Sequence, residues 1–472
     1  ATIVAGELDV GAAATWLAGA SLGRGRVMAE DISVLVEGLA EGRITTLTGA
    51  QTDSEERVIV TGTDVSALVR TLLADESPEA PAMLATAATV GPLMIPLPNG
   101  DQFTIPFVEA TNVALTPVSS LTPQQSGTAT SAMDLAGLMM GLFSADEVEA
   151  QNITHTSGGI DTKIDRVALS ELTPEGFGAF ALDGFSTTDT TNIATLTSLS
   201  INDVAWAKSR FGVGPDVAAI TAASPVVALA GYPQIGSFSV EGMVMEGPTM
   251  EGGVSVPSMT MRFADHIGPI PTNVTYDVET VVEGVADTFP PDIDRLLASR
   301  GYETFDVRES GILTYDRSTE ALTIKTKSDY ERLGVLDMHL VVSGIPVLAF
   351  EEPARAFEAI SLAAIADMSL SFQDKGAIDL LKAVFSHSSG TADNEVLPQW
   401  MGMARGVISG VVPEERAEPI LAAIETFLTD TGTITMTAEP PSPVSFMQLA
   451  TGAMTAPGQI LNILNVTVSA DR

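Results

Sequence analysis

The sequence predicts an α+β protein: antiparallel β-rich sheets with helices packed on one face, in an elongated molecule. Three observations predict this. Short runs of alternating apolar and polar residues recur through the middle of the chain. Helical spacing of apolar residues is gathered toward the two ends. Charged residues are only 18% of the 472, against about 25% in ordinary domains. Thr, Ser and Gly must therefore cover much of the surface, which suits exposed sheet faces.

A chain this long predicts more than one domain. The composition shifts place an α+β region at 1–130, a β-rich domain at 131–350 and a second α+β region at 351–472. In the first region, 2–4, 31–35, 43–47 and 57–61 read as strands, and 9–19 as a short helix. Residues 64–74 read as a second helix, with Asp64 as N-cap and Val65, Leu68, Val69 and Leu72 at helical spacing. Phe103, Ile105 and Phe107 alternate in an extended segment over 102–115, and the Pro/Ser/Thr-rich stretch 116–130 reads as a linker.

Residues 132–143 predict a strongly apolar helix. Met133, Leu135, Leu138, Met139, Leu142 and Phe143 are the candidate ligand-binding residues, because a Met-bearing apolar surface adapts to irregular ligands. Packing on a sheet is the alternative use of that surface.

Strands then follow at 160–169, 196–204, 237–245 and 254–263. In the last, the alternation slips at Pro257, which predicts a bulge. Strands at 273–282, 311–315, 321–327 and 336–342 complete the run, with a hairpin turn at 316–320. Residues 291–300 predict a helix ended by Gly301. In the last region 368–372, 432–437 and 463–469 read as strands, and 377–385, 414–428 and 446–454 as helices. The hexapeptides at 198–203 and 369–374 share Ser-Leu-Ser and a closing Asp, so a duplicated strand–helix unit is an expectation.

The charge excludes whole classes. The chain carries 60 acidic and 23 basic residues, a formal net of −37. Phosphate backbones and anionic membrane surfaces are repelled, the Lys and Arg are scattered along the sequence, and no nucleic-acid partner is expected. Cysteine is absent, which excludes disulfides, thiolate metal sites and Cys nucleophiles. The first residue, Ala1, fits a chain left by signal-peptide cleavage, so a periplasmic or extracellular location is expected. Pro and Gly cut every apolar stretch short of a transmembrane span, so a water-soluble protein is expected.

Catalytic patterns fail one by one. His155, His266, His339 and His387 stand at no metal-ligand spacing, and His339 is read as facing solvent or a satisfied neighbour. The nucleophile elbow is missing, and Gly212-Val213-Gly214-Pro215 lacks the Lys of a phosphate loop. The carboxylate pairs are Asp292/Asp294 and Glu351/Glu352, and Asp292 is read as capping the helix that follows. Asp183-Gly184 and Asp189 read as a Thr-rich loop with oxygens of the kind a structural ion takes, the minor alternative to a site without metal. The sequons at Asn152, Asn273 and Asn465 are read as chance. No cofactor and no resident metal are expected.

Residues 367–375 (Asp-Met-Ser-Leu-Ser-Phe-Gln-Asp-Lys) and 427–444, with a Gly-x-Ile-x-Met strand and a Pro-Pro-Ser-Pro-Val turn, resemble uncharacterised α-proteobacterial envelope proteins. The alternating Ser/Thr strands are similar in style to YdgA-type and AsmA-like periplasmic proteins. The resemblance implies an envelope location and, for AsmA-like members, lipid handling; it carries over no functional residues. No N-terminal membrane anchor is expected, a departure from those groups.

The expectation is therefore a non-catalytic envelope protein, periplasmic or surface-exposed. It binds an apolar ligand such as a lipid, or an envelope partner. The positive mean hydropathy of +0.27 supports an apolar ligand. The alternatives are a self-assembling extracellular protein that forms homo-oligomers through strand edges, and a hydrolase with an unrecognised carboxylate pair.

Overall fold

The structure is a computed structural model. It describes residues 2–5, 41–45, 57–61, 82–96, 102–115, 143–157, 159–189, 192–205, 233–247, 250–268, 270–283, 290–351, 362–455 and 457–471. The chain forms two compact units. The first holds Ala1–Thr190 with Thr195–Ala222 and Gly231–Gly236; the second holds Ser237–Arg472 with Thr191–Ala194 and Ala223–Ala230. The described strands pair antiparallel throughout, so the β-rich antiparallel expectation holds. The expected helices at 9–19, 64–74 and 132–143, the strand at 31–35 and the linker at 116–130 lie outside the described residues, apart from Phe143.

The first unit contains β1 (Thr2–Ala5), β2 (Glu41–Thr45), β3 (Arg57–Thr61), β4 (Ala82–Gly91), β5 (Leu93–Pro96), β6 (Gln102–Ile105), β7 (Val108–Leu115), β8 (Phe143–Ser157), β9 (Ile160–Leu172) and β10 (Gly176–Thr188). Most of β11 (Ile193–Ala205) belongs to it as well. Pairing runs β1–β2–β3–β4–β7–β8–β9–β10, and the β5–β6 hairpin joins through β6 to β8. Pro106 separates β6 from β7, because it cannot donate to a ladder.

The segment around Asp183, expected as a loop, is instead within the strand β10. Its many glycines disguise it: Gly176, Gly178 and Gly184 weaken the strand signal, and Gly184 takes a φ of +64° within it. Asp183 stands opposite Arg166 and their side chains are 3.2 Å apart. Arg166 also reaches Glu149 at 3.0 Å and Glu147 at 3.4 Å. One guanidinium thus bridges three strands and answers three carboxylates, and the paired acids hold its proton more tightly than usual.

Glu149 is held below the ordinary carboxylate range. The Gln151 amide donates to it, and Arg166 adds a hydrogen bond and its charge, while burial works the other way. A carboxyl depressed in the folded state contributes stability above its unfolded pKa, near 4.3. That contribution is lost as pH falls through the folded value. Urea melts from about pH 6 to about pH 3 should therefore show the parent losing more stability than Glu149→Gln. Parallel losses would mean that this carboxylate is not coupled to folding.

The second unit is a meander. It comprises β12 (Ser237–Gly247), β13 (Met250–Ala264), β14 (Asn273–Glu283), β15 (Thr304–Asp316), β16 (Ala321–Tyr330), β17 (Gly334–Ser343), β18 (Ala364–Asp374), β19 (Thr433–Ala438), β20 (Val444–Ser445) and β21 (Val466–Asp471). Each strand from β12 to β19 pairs with the next, β21 pairs with β19, and β20 pairs with the start of β18. The expected bulge is present: the β13–β14 register shifts between Ser255 and Ser258. The expected hairpin is also present, with Asp316 opposite Ala321. Asp316 accepts from the Ser318 hydroxyl and backbone N–H, which stabilises that turn.

Helices fill the connections. They are α1 (Pro291–Ser299), α2 (Leu348–Glu351), α3 (Ala377–Ser389), α4 (Asp393–Val411), α5 (Glu414–Asp430), α6 (Phe446–Thr455) and α7 (Pro457–Ile463). Pro291 opens α1, where its missing N–H costs nothing. Gly301, with a φ of +75°, follows its end as expected. Asp374 accepts from the backbone N–H of Ile378 and so starts α3. Ile293, Leu297 and Leu380 form a small core where α1 meets α3, joined by Tyr302, Leu333 and Val384. Phe385 meets Trp400 edge-on at 5.8 Å between α3 and α4. Helix α5 lies along β21 and β19, and its Phe427 meets Phe372 of β18 edge-on at 6.1 Å.

Candidate functional site: a two-faced sheet

Successive residues of a strand point to opposite faces, and directly paired residues share a face. The register of the second unit therefore sorts its residues into rows. One row reads Phe263, Val274, Leu313, Ile324, Leu340, Met368, Ala438 and Val466 across eight strands. It is apolar at every position. Burial along the row is uneven. Ala438 and Val466 are 2% and 8% exposed, on the strands that α5 covers. The six residues from Phe263 to Met368 are only half-buried. No helix among the described residues lies along β13–β16 as α5 lies along β21. At one end of this face the Phe350 ring of α2 meets Tyr315 at 4.3 Å, tilted by 39°, and the Tyr315 hydroxyl donates to the Ile345 carbonyl.

One residue back along β13, the row flips to the other face. It reads Arg262, Thr275, Ile312, Lys325, His339, Ser369, Thr437 and Thr467. All but Ile312 carry a polar group. The neighbouring row on that face holds Asp277, Ser310, Lys327, Asp337 and Ser371. Between these rows lies a shallow depression of about 550 Å³. Arg262, Lys325, Lys327, Asp337, His339 and the hydroxyls of Thr275, Ser310 and Ser369 line it. Ile312, 48% exposed, stands in its middle.

The sequence reading missed this depression. Lys325 and Lys327 are two apart in one strand, a signal that places both on one face. Arg262 and His339 join them only through strand register, which the linear sequence does not reveal. His339 does sit on the polar face, half-buried among these groups.

Of the expected ligand-binding residues, Met133, Leu135, Leu138, Met139 and Leu142 lie outside the described residues. Phe143 opens strand β8 opposite Leu115, rather than closing a helix. Of the two carboxylate pairs, Asp292 and Asp294 stand on one helix rather than across a cleft, and Glu352 lies outside the described residues. Asp292 is in the first turn of α1, and His387 of α3 contacts it at 3.1 Å. Its carboxyl is held below the ordinary range by a hydrogen bond from its own backbone N–H, with His387 adding to the effect. Asp292 thus favours the positive end of α1 and ties α1 to α3. It is not the N-cap, a position taken by Pro290. Glu351 ends α2. The described residues include no group of three acidic or His side chains placed to hold a metal. No helix among them is long and apolar enough to cross a membrane.

Residues 327–471 match a family described only as "Uncharacterized protein". The matched stretch begins in β16 and takes in β17 to β21 with α2 to α7. No curated protein matches the sequence.

Proposed function

We propose that this chain is a non-catalytic binding protein of the cell envelope, periplasmic or surface-exposed, and that its ligand is apolar, of lipid class. One observation carries the reading. The apolar row of the second unit is sealed at Ala438 and Val466 but only half-buried from Phe263 to Met368. Burying such surface contributes about 25 cal/mol per Å², so a ligand with acyl chains gains by covering it. The high mean hydropathy and the acid-rich composition fit a protein that carries apolar surface in an aqueous compartment. The Met side chains of the row and its neighbours, Met261, Met338 and Met368, suit irregular chains.

The test is native mass spectrometry of delipidated protein against a panel of phospholipids and fatty acids. Wild type should retain an acyl-chain ligand, and Ile324→Ser with Leu340→Ser should lose most of it. Circular dichroism and a thermal melt must show the variant folded. Wild-type protein that retains nothing from the panel overturns the reading.

The same reading takes the segments at 198–203 and 369–374 as copies of one strand–helix unit. Both lie on strands, β11 and β18, and in each case the Asp falls near the strand's end. Superposing the two segments in a crystal structure, each with the residues that follow it, tests the duplication. A helix after β18 alone would end the idea.

A further inference from the structure

We propose that the depression on the polar face of the second unit binds a small, hydroxylated, multivalent anion: a soluble sugar-like molecule bearing phosphate or carboxylate groups. This inference does not rest on the lipid reading, because the site is on the opposite face of the sheet.

The charge arrangement is the first argument. Acids outnumber bases 60 to 23 in this chain, so a cation should find a carboxylate easily. Several described cations do. Arg308 meets Glu279 at 2.9 Å, Lys375 meets Asp329 at 2.7 Å, and Arg166 meets three acids. Arg262, Lys325 and Lys327 form no ion pair among the described residues, and all three are exposed. Asp337 stands directly across from Lys327, yet their charges do not come within ion-pair distance. Three cations left open in one hollow of a strongly acidic chain make a local site of opposite sign to the molecule.

Spacing and size are the second argument. Strands lie about 4.8 Å apart, and Arg262 on β13 is three strands from β16. The cations therefore span about 14 Å across the sheet, with Lys325 and Lys327 about 7 Å apart along it. That geometry suits a ligand with anionic groups at separated positions rather than a single small ion. The volume of about 550 Å³ falls in the range of small-molecule sites, about 300–1,000 Å³.

The remaining lining completes the chemistry. The hydroxyls of Thr275, Ser310 and Ser369 can donate or accept. Asp337 can accept only, and it matches ligand hydroxyls while opposing a bare polyanion. Ile312 offers an apolar contact to the face of a sugar ring. A membrane surface fits less well, because a net charge of −37 repels anionic lipid within a Debye length, about 8–10 Å.

The experiment is isothermal titration at low salt with inorganic pyrophosphate, fructose 1,6-bisphosphate and digalacturonate as probes. It uses the full chain, the Lys325→Gln/Lys327→Gln variant, and Lys163→Gln/Lys382→Gln as a charge-matched control. Fructose 1,6-bisphosphate or digalacturonate should bind wild type and control alike, and binding of pyrophosphate alone overturns the assignment to a hydroxylated ligand. The probe that binds should bind the Lys325/Lys327 variant about tenfold more weakly or worse, the loss expected for two solvent-exposed charge contacts. A thermal melt checks that the variant, altered at exposed positions, remains folded. Absence of binding by all three probes overturns the proposal, as does equal weakening in the control. A vesicle arm with phosphatidylglycerol separates the two sources of anionic groups. Lysine-dependent retention on vesicles, with no soluble probe bound, overturns the assignment to a soluble ligand and gives the site to a lipid headgroup.

Discussion

Replacing Phe427 by alanine should destabilise the second unit by about 3–5 kcal/mol, the usual cost of deleting a buried aromatic ring. Phe427 is 7% exposed and meets Phe372 edge-on, so its loss opens a cavity between α5 and the sheet. It also removes an aromatic pairing of about 0.5–1.5 kcal/mol beyond burial. Urea denaturation followed by tryptophan fluorescence measures the effect, since Trp400 is on the neighbouring helix α4. Phe427→Leu should recover part of the loss because it refills most of the volume. A shift below about 1 kcal/mol for Phe427→Ala would mean that α5 does not seal β19 and β21 in the way described.

The second large effect is expected at Gly176→Ala in the first unit. Gly176 opens β10 after the tight turn from Thr173, where the Thr173 N–H donates to the Gly176 carbonyl at 2.8 Å. A methyl group built on Gly176 would stand 1.8 Å from the Val204 carbonyl oxygen and 3.0 Å from the Ala205 Cα. Both are backbone atoms, so no side chain can swing away. The strands must part locally, at a cost of about 1–3 kcal/mol by analogy with overpacked cores. Hydrogen exchange should show faster exchange in β10 and the end of β11, with the second unit unchanged. Gly159→Ala is the control. Gly159 also has a positive φ, but a methyl group there meets nothing within 4 Å. If the two variants behave alike, backbone conformation rather than close approach governs Gly176.

Much of the second unit was legible because period-two alternation and turn residues agree there. Pro257 marked its bulge, Gly301 the end of α1, and the Asp316 turn its hairpin. Helix α4 was not legible. Pro398, Gly402 and Gly406 depress its helix propensity, and tertiary contacts through the fully buried Val396 and through Trp400 offset that deficit. Strand β10 was hidden in the same way by its glycines, so an ion-pair partner, Asp183, passed for a loop residue. The polar depression was half legible. Lys325 and Lys327 announce a shared face, but Arg262 and His339 reach it through hydrogen-bond register across four other pairings, and register is a property of the folded sheet. The apolar face shows the same limit from the other side. Each strand contributes ordinary core residues, and only their alignment shows that the row is sealed at one end and half-buried along the rest.

The order of strands also sets the order in which the second unit can assemble. From β13 to β18 every strand pairs with its predecessor, and the intervening segments are short apart from those that carry α1 and α2. These hairpins close small loops, which costs little chain entropy, and such local contacts form early. Strand β19 is different. It must find β18 across the whole of α3, α4 and α5, and β21 then finds β19 across α6 and α7. Those two closures are the late, slow steps, and they are also the ones that bring α5 over Ala438 and Val466. During synthesis a nascent chain thus holds its apolar row open until β21 arrives. The part of the sheet that is sealed in the finished protein is the last to be sealed, and a chaperone or partner that recognises the growing chain would meet the row from Phe263 to Met368 at that stage.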